Sequence, residues 1–117
     1  MIVDDSGFTR RTHRRILEAE GYVVHEAESG MSAIEGYFVH RPDLILLDLT
    51  MQDMSGLDVL RKLREMEADA PVIVISADVQ RSTVQLVGES GAVFLGKPVS
   101  QDDLVTAVRT ALAEARP

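Results

Sequence analysis

Leu44-Ile45-Leu46-Leu47-Asp48, and Val72-Ile73-Val74-Ile75-Ser76 downstream of it, are short unbroken apolar runs that each end on a polar residue. A strand with one wet face alternates apolar and polar side chains, whereas an unbroken apolar run suits a strand buried on both faces. Both faces are covered in a parallel sheet, because its crossover helices lie on its two sides. Shorter β-rich runs at Met1-Ile2-Val3, Tyr22-Val23-Val24 and Val93-Phe94-Leu95 complete a set of five strand candidates.

Helical periods separate these runs. Met31, Ile34, Tyr37 and Phe38 are expected on one face of a helix, as are Val59, Leu60, Leu63 and Met66. The last helix has the clearest repeat, with Leu104, Val105, Val108, Ala111, Leu112 and Ala115 recurring at intervals of three and four. Ser100 precedes it as a candidate N-cap, and Asp102 and Asp103 fall in the first turn, where the helix dipole favours acids. Gly21, Gly91 and Arg41-Pro42 mark the ends of helices that precede strands. Five β-α repeats imply an open, doubly wound α/β parallel sheet with helices on both faces. No linker, repeat or low-complexity segment interrupts them, so residues 1–117 are expected to form one domain with no effector domain.

Composition narrows the chemistry. With 45% hydrophobic and 26% charged residues, the chain has the makeup of a globular domain, and its size allows burial of roughly two-thirds of the unfolded surface. Cysteine is absent, which excludes disulfides, thiolate zinc sites and cysteine nucleophiles. His13, His25 and His40 are scattered without zinc-ligand spacing. A net charge of −7 argues against direct nucleic-acid binding. No apolar run approaches the ~20 residues of a membrane span, and Asp4-Asp5 comes too early for a signal peptide, so a cytoplasmic location is expected.

In open α/β sheets ligands bind at the carboxyl ends of the strands. The residues leaving the predicted strands there are Asp4-Asp5, Asp48, Ser76 and, after Gly96, Lys97-Pro98. Carboxylates packed together repel, and a cation relieves the repulsion. An all-oxygen site suits a hard divalent ion, above all Mg²⁺, which leaves positions for water and phosphate oxygens. A carboxylate is also a nucleophile toward phosphorus, and Lys97 and Ser76 are suited to hold the remaining oxygens.

Asp4-Asp5-Ser6, Asp48-Leu49-Thr50-Met51 with Gly56 beyond, Ser76-Ala77 and Lys97-Pro98 together resemble the signature of response-regulator receiver domains of two-component signalling. The resemblance covers essentially the whole chain and includes the order and spacing of all the strand ends. It implies the flavodoxin-like fold with strand order 2-1-3-4-5. It further implies that Asp48 is the phosphoacceptor, that Asp5 binds Mg²⁺ (Mn²⁺ as a substitute) with Asp4 assisting through water, and that Asp48 and the Thr50 carbonyl add ligands. Ser76 would hydrogen-bond the phosphoryl group, Lys97 would pair with it, and Phe94 would be the aromatic switch that turns inward as Ser76 moves. Thr50 and Asp78 occupy positions that tune phosphate lifetime in relatives, and the Lys97-Pro98 bond is cis in many of them.

The implied function is a signalling switch that takes its phosphoryl group from a phosphohistidine on a histidine kinase or phosphotransfer protein. It catalyses its own phosphotransfer and autodephosphorylation and is otherwise no enzyme. Output is expected through the face of helix four, strand five and helix five, in a monomer or a phosphorylation-dependent dimer. The stretch from Ser76 to Thr83 also resembles stand-alone chemotaxis-type receivers. Arg10, Arg11, Arg14 and Arg15 form a cationic cluster on the first helix, read either as a solvated face partly paired with Glu18 or as a kinase-docking surface.

Several residues depart from the family pattern. Only three residues precede the acidic pair, so the first strand is expected to be short and to weaken the domain. Gln52 stands where proline is common, which predicts a looser loop after Asp48. Thr9, Thr12 and His13 replace apolar residues on the first helix, leaving Phe8, Ile16 and Leu17 to pack.

Three other readings compete: a receiver within a longer regulator, an aspartyl-nucleophile phosphatase of the haloacid-dehalogenase type, and a flavodoxin-like cofactor carrier. The phosphatase wants a second acid two residues after the nucleophile, where Thr50 stands. The carrier wants uncharged donors where Asp4-Asp5 would repel phosphate.

Overall fold

Ile45–Asp48 (β3) runs through the middle of a five-stranded parallel sheet, with Ile2–Val3 (β1) on one side and Val72–Ser76 (β4) on the other. Glu26–Ala27 (β2) and Val93–Gly96 (β5) form the edges, giving the order β2-β1-β3-β4-β5 that the family resemblance implies. The computed structural model describes residues 1–115, so the expected domain end at Pro117 lies outside the described residues. Five helices alternate with the strands: Gly7–Ala19 (α1), Gly30–His40 (α2), Gly56–Glu65 (α3), Arg81–Glu89 (α4) and Gln101–Ala115 (α5).

Strand alternation divides the core in two. Ile45, Leu47, Val72 and Val74 point toward α2, α3 and α4, where Tyr37, Val59, Leu60, Leu63 and Val87 meet them. Leu46, Ile73 and Ile75 point the other way, onto Leu17 of α1 and Leu104, Val108 and Ala111 of α5. Every residue of β3 and β4 is buried, which explains the continuous apolar runs.

Local chemistry places the helix ends. Ser6, Ser29, Ser55 and Ser100 each accept the backbone N–H three residues ahead. Gly21 and Gly91 follow their helices with φ of 92° and 76°, the left-handed turn in which a side chain is strained. Arg41 takes the same role after α2, at φ 46°.

Three packing expectations need correction. The second strand is not Tyr22-Val23-Val24 but Glu26–Ala27. The register pairs Ile2 with Glu26 and Val3 with Ala27, so residues 22–24 run past the first residue of β1 and find no ladder partner there. Val24 still enters the core, while Val23 is 86% exposed. On α2 the buried line is Gly30, Ala33 and Tyr37, and Met31 and Phe38 face outward. Phe8 does not pack at all: it is 77% exposed, and Thr9, Thr12 and His13 take the half-buried positions instead.

Glycine tolerance provides a test of this packing. A Cβ on Gly56 would overlap the Asp48 carbonyl oxygen and the Leu49 Cα, both backbone atoms that cannot step aside, whereas a Cβ on Gly88 of α4 meets nothing. Gly56→Ala is therefore expected to lose about 3 kcal/mol in urea denaturation. Gly88→Ala is expected to gain about 0.5 kcal/mol from helix propensity and a less flexible unfolded chain.

Candidate functional site

Asp4, Asp48 and Ser76 are the buried polar side chains among the described residues, and all three sit at the carboxyl ends of adjacent strands. Burying a polar group without a purpose is costly, so their clustering marks the site. Asp4 follows β1, Asp48 ends β3 and Ser76 ends β4. Asp5 stands beside Asp4 but is exposed. Carboxylate oxygens of Asp4, Asp5 and Asp48 lie within 4.8 Å of one another. Lys97, just past β5, reaches Asp48 Oδ1 with its Nζ at 3.4 Å.

Each of these side chains is held locally. Asp4 accepts the Ser6 N–H at 2.8 Å, and Arg10 donates to the Asp4 carbonyl at 2.7 Å. Asp48 accepts the Thr50 N–H at 3.4 Å, a long bond that leaves its oxygens largely free. Ser76 Oγ accepts the Asp78 N–H at 3.0 Å, while the Ser76 carbonyl accepts the Lys97 N–H at 2.9 Å. The Asp78 carboxylate turns the other way, accepting from Gln80 N–H and the Thr83 hydroxyl. The Lys97-Pro98 peptide is cis. Phe94 is half-buried and packs against the α2-α3-α4 side of the core. Met51 and Met54 are loop packing against the same core, as their residue type suggests.

Electrostatics supply the test of whether a cation fits. Burial pushes the Asp48 carboxyl above its usual range and Asp4 adds to the rise, while Lys97 and the Thr50 N–H pull it back. One ammonium against three carboxylates leaves the cluster short of positive charge, and the donors are all oxygen, so the residues present fit a Mg²⁺ ion.

The arginine cluster divides. Arg10 and Arg14 each bond Glu26 of β2 at 2.6 Å, and Arg14 also pairs with Glu18 at 3.3 Å. These two bind α1 to the sheet edge and hold the Glu26 carboxyl below its usual range. Arg11 and Arg15 face solvent.

His13 is a neighbour of the site that sequence reasoning passed over. With Thr9, Ile75, Ala77, Lys97 and Pro98 it lines an open hollow of about 390 Å³ beside the acidic cluster. Burial lowers its pKa, with Asp4 opposing and Lys97 reinforcing that shift. Its spacing from Thr9, Ile16 and Leu17, one helical face, was the available signal. A second hollow, about 310 Å³ and lined in part by Tyr22, His25, His40 and Asp43, lies at the opposite end of the strands, away from Asp4, Asp5 and Asp48.

Comparison with known proteins decides the family. The family model for the response regulator receiver domain matches residues 1–109. The chain belongs to that family. Receiver domains are signalling switches of two-component systems; phosphorylation and Mg²⁺ binding at an acidic pocket are general to them. This receiver is 39% identical over 114 residues to the chemotaxis protein CheY of Bacillus subtilis (strain 168), covering 96% of this chain and 95% of that one. It is 30% identical over 118 residues to the polar-differentiation response regulator DivK of Brucella ovis, covering 98% and 96%. Among solved structures, a CheY-like response regulator receiver domain protein from Methanospirillum hungatei JF-1 superposes with a TM-score of 0.92 at 26% identity, covering 97% of this chain and 92% of that one.

The raised Asp48 pKa has a definite sign in stability. The folded receiver keeps this proton to higher pH than the unfolded chain, so ionising Asp48 opposes folding. The penalty is absent below the ordinary carboxylate value of 3.8 and grows as pH rises through the window up to the raised folded value. Asp48→Asn is expected to unfold at higher urea than wild type at neutral pH in EDTA, with the gap narrowing as pH falls through that window.

Proposed function

We propose that Asp48 is the phosphoacceptor of a Mg²⁺-dependent switch, with Asp5, Asp4, Asp48 and the Thr50 carbonyl as the ligand set. The observation that carries this reading is the gathering of the Asp4, Asp5 and Asp48 oxygens within 4.8 Å, with the Lys97 ammonium 3.4 Å from Asp48. When bound, Mg²⁺ supplies charge neutralisation for the phosphoryl oxygens. An Asp48 carboxylate oxygen forms the new bond to phosphorus as the phosphorus–nitrogen bond to the donor histidine breaks, and the departing imidazole takes up a proton. Lys97 pairs with the transferred group and Ser76 Oγ donates to it, so both act on charge that the transfer brings into the pocket. Hydrolysis by water regenerates the carboxylate and releases inorganic phosphate. Thr50 and Asp78, both exposed, tune the lifetime of the phosphoryl group, as the matching positions do in relatives.

The donor is a phosphohistidine on a histidine kinase or phosphotransfer protein. Arg11 and Arg15, free of the ion pairs that engage Arg10 and Arg14, are the docking charges, with exposed Phe8 beside them on α1. Output passes through the α4-β5-α5 face, where Val79, Val84, Leu86 and Val93 are exposed. Phosphorylation biases an equilibrium already present, drawing Ser76 toward the phosphoryl group and Phe94 inward behind it. A cytoplasmic place for this exchange accords with the finding that no helix among the described residues is long and apolar enough to cross a membrane.

The central experiment is labelling by acetyl phosphate or a phosphorylated kinase domain, with and without Mg²⁺. Wild type is expected to take up acid-stable, base-labile label only with Mg²⁺, and Asp48→Ala to take up none; equal labelling of the two proteins would move the acceptor elsewhere. Lys97→Ala is expected to slow labelling about 100-fold, as loss of one charge-stabilising donor does elsewhere. Charge reversal at Arg11 and Arg15 is expected to slow transfer from the kinase about tenfold while leaving acetyl phosphate labelling unchanged. Equal effects on both donors would remove α1 as the docking surface.

A further inference from the structure

Seven residues, 49–55, connect β3 to α3 and carry the Thr50 carbonyl. Gln52 leaves this loop without the stiffness of a proline, and its own backbone ties are few: Gly56 N–H to Leu49 O at 2.8 Å and Thr50 N–H to Asp48 at 3.4 Å. The loop is nevertheless fastened from outside. Both carboxylate oxygens of Asp53 accept backbone N–H groups from the start of α2, Gly30 at 3.0 Å and Met31 at 3.1 Å. Beside this bond Met54 lies so close to Gly30 that a Cβ there would overlap its side chain.

Helix α2 does not need Asp53 as its cap. Ser29 already accepts the Ser32 N–H, Ser32 answers by accepting the Ser29 N–H, and the Ala33 N–H reaches the Ser29 carbonyl. What Asp53 adds is a link across more than 20 residues, from the phosphoacceptor loop to a helix whose free N–H groups and dipole favour an anion. Asp53 is also no ligand itself. It is not among the acids that converge on Asp48, and its oxygens are engaged on the far side of the loop.

We propose that Asp53 is a positioning residue for the metal centre. It holds the 49–55 loop against α2 so that the Thr50 carbonyl is in place before the ion arrives. This inference rests on the Mg²⁺ reading given above. The clamp does in this chain what a rigid residue at position 52 would do, and it makes the order of the loop depend on the start of α2.

The test compares Asp53→Ala with Ser29→Ala. Both variants weaken the N-terminal cap of α2, but only the first unfastens the loop. Mg²⁺ affinity is measured by calorimetry, and amide exchange at Thr50 and Gly56 is followed without metal. Asp53→Ala is expected to bind Mg²⁺ about tenfold more weakly than wild type, as loss of an outer-shell partner does elsewhere. Its Gly56 N–H should exchange faster in the absence of metal. Ser29→Ala should lose thermal stability yet keep wild-type Mg²⁺ affinity. Asp53→Ala binding as tightly as wild type, or both variants weakening by the same factor, overturns the positioning role alone. Failure of wild type to bind Mg²⁺ overturns the metal reading beneath it.

Discussion

Mutual repulsion among Asp4, Asp5 and Asp48 is the constraint around which this molecule is arranged. Three carboxylates within 4.8 Å, two of them buried, are an unfavourable arrangement that the rest of the fold must hold in place. The sheet does this by brute burial: β3 and β4 are apolar on both faces, and the strands end where the charges begin. Lys97 offsets part of the repulsion, and the burial that raises the Asp48 pKa makes the ionised site costlier still. A site that is electrostatically short of one cation is, for the same reason, a site ready to accept one.

Around that rim the elements have unequal freedom. Helix α1 is tied down, because Glu26 joins Arg10 and Arg14 to the edge strand and Arg10 also reaches the Asp4 carbonyl. The start of α2 is tied to the loop after Asp48 through Asp53. Helix α4 receives no capping hydrogen bond from the side chain of its N-cap residue Gln80; Asp78, close to Ser76, braces its start by accepting the Gln80 N–H and the Thr83 hydroxyl. Firm anchoring at α1 and α2 and looser capping at α4 place the adaptable part of the molecule on the side where Val79, Val84, Leu86 and Val93 are exposed.

Much of this was legible in the sequence, for reasons that can be named. The runs at residues 44–47 and 72–75 identify buried parallel strands because they are short, continuously apolar and aliphatic, and are followed at once by polar residues. Asp48, Ser76 and Lys97 stand where those strands end, so the site residues follow from the strands themselves. The second strand was misplaced because Tyr22-Val23-Val24 is the more β-prone stretch; pairing is set by where β1 begins, and Glu26–Ala27 lies opposite it. The exposed positions of Phe8, Met31 and Phe38 were invisible for a related reason. Periodicity locates a face but does not say which side of a short helix meets the sheet. The Asp53 clamp joins residues more than 20 apart, and its donors are backbone amides, which leave no trace in composition.

The alternation of β3 and β4 carries one further consequence. Asp48 continues the line of Leu46, whose core is shared with α1 and α5, whereas Ser76 continues the line of Val74, whose core is shared with α2, α3 and α4. The two residues therefore belong to opposite halves of the sandwich and meet only at its lip. A single small anion gripped by both would act as a rivet between layers that the apolar sheet otherwise insulates from each other, so that occupancy on one side is felt on the other without any through-core relay.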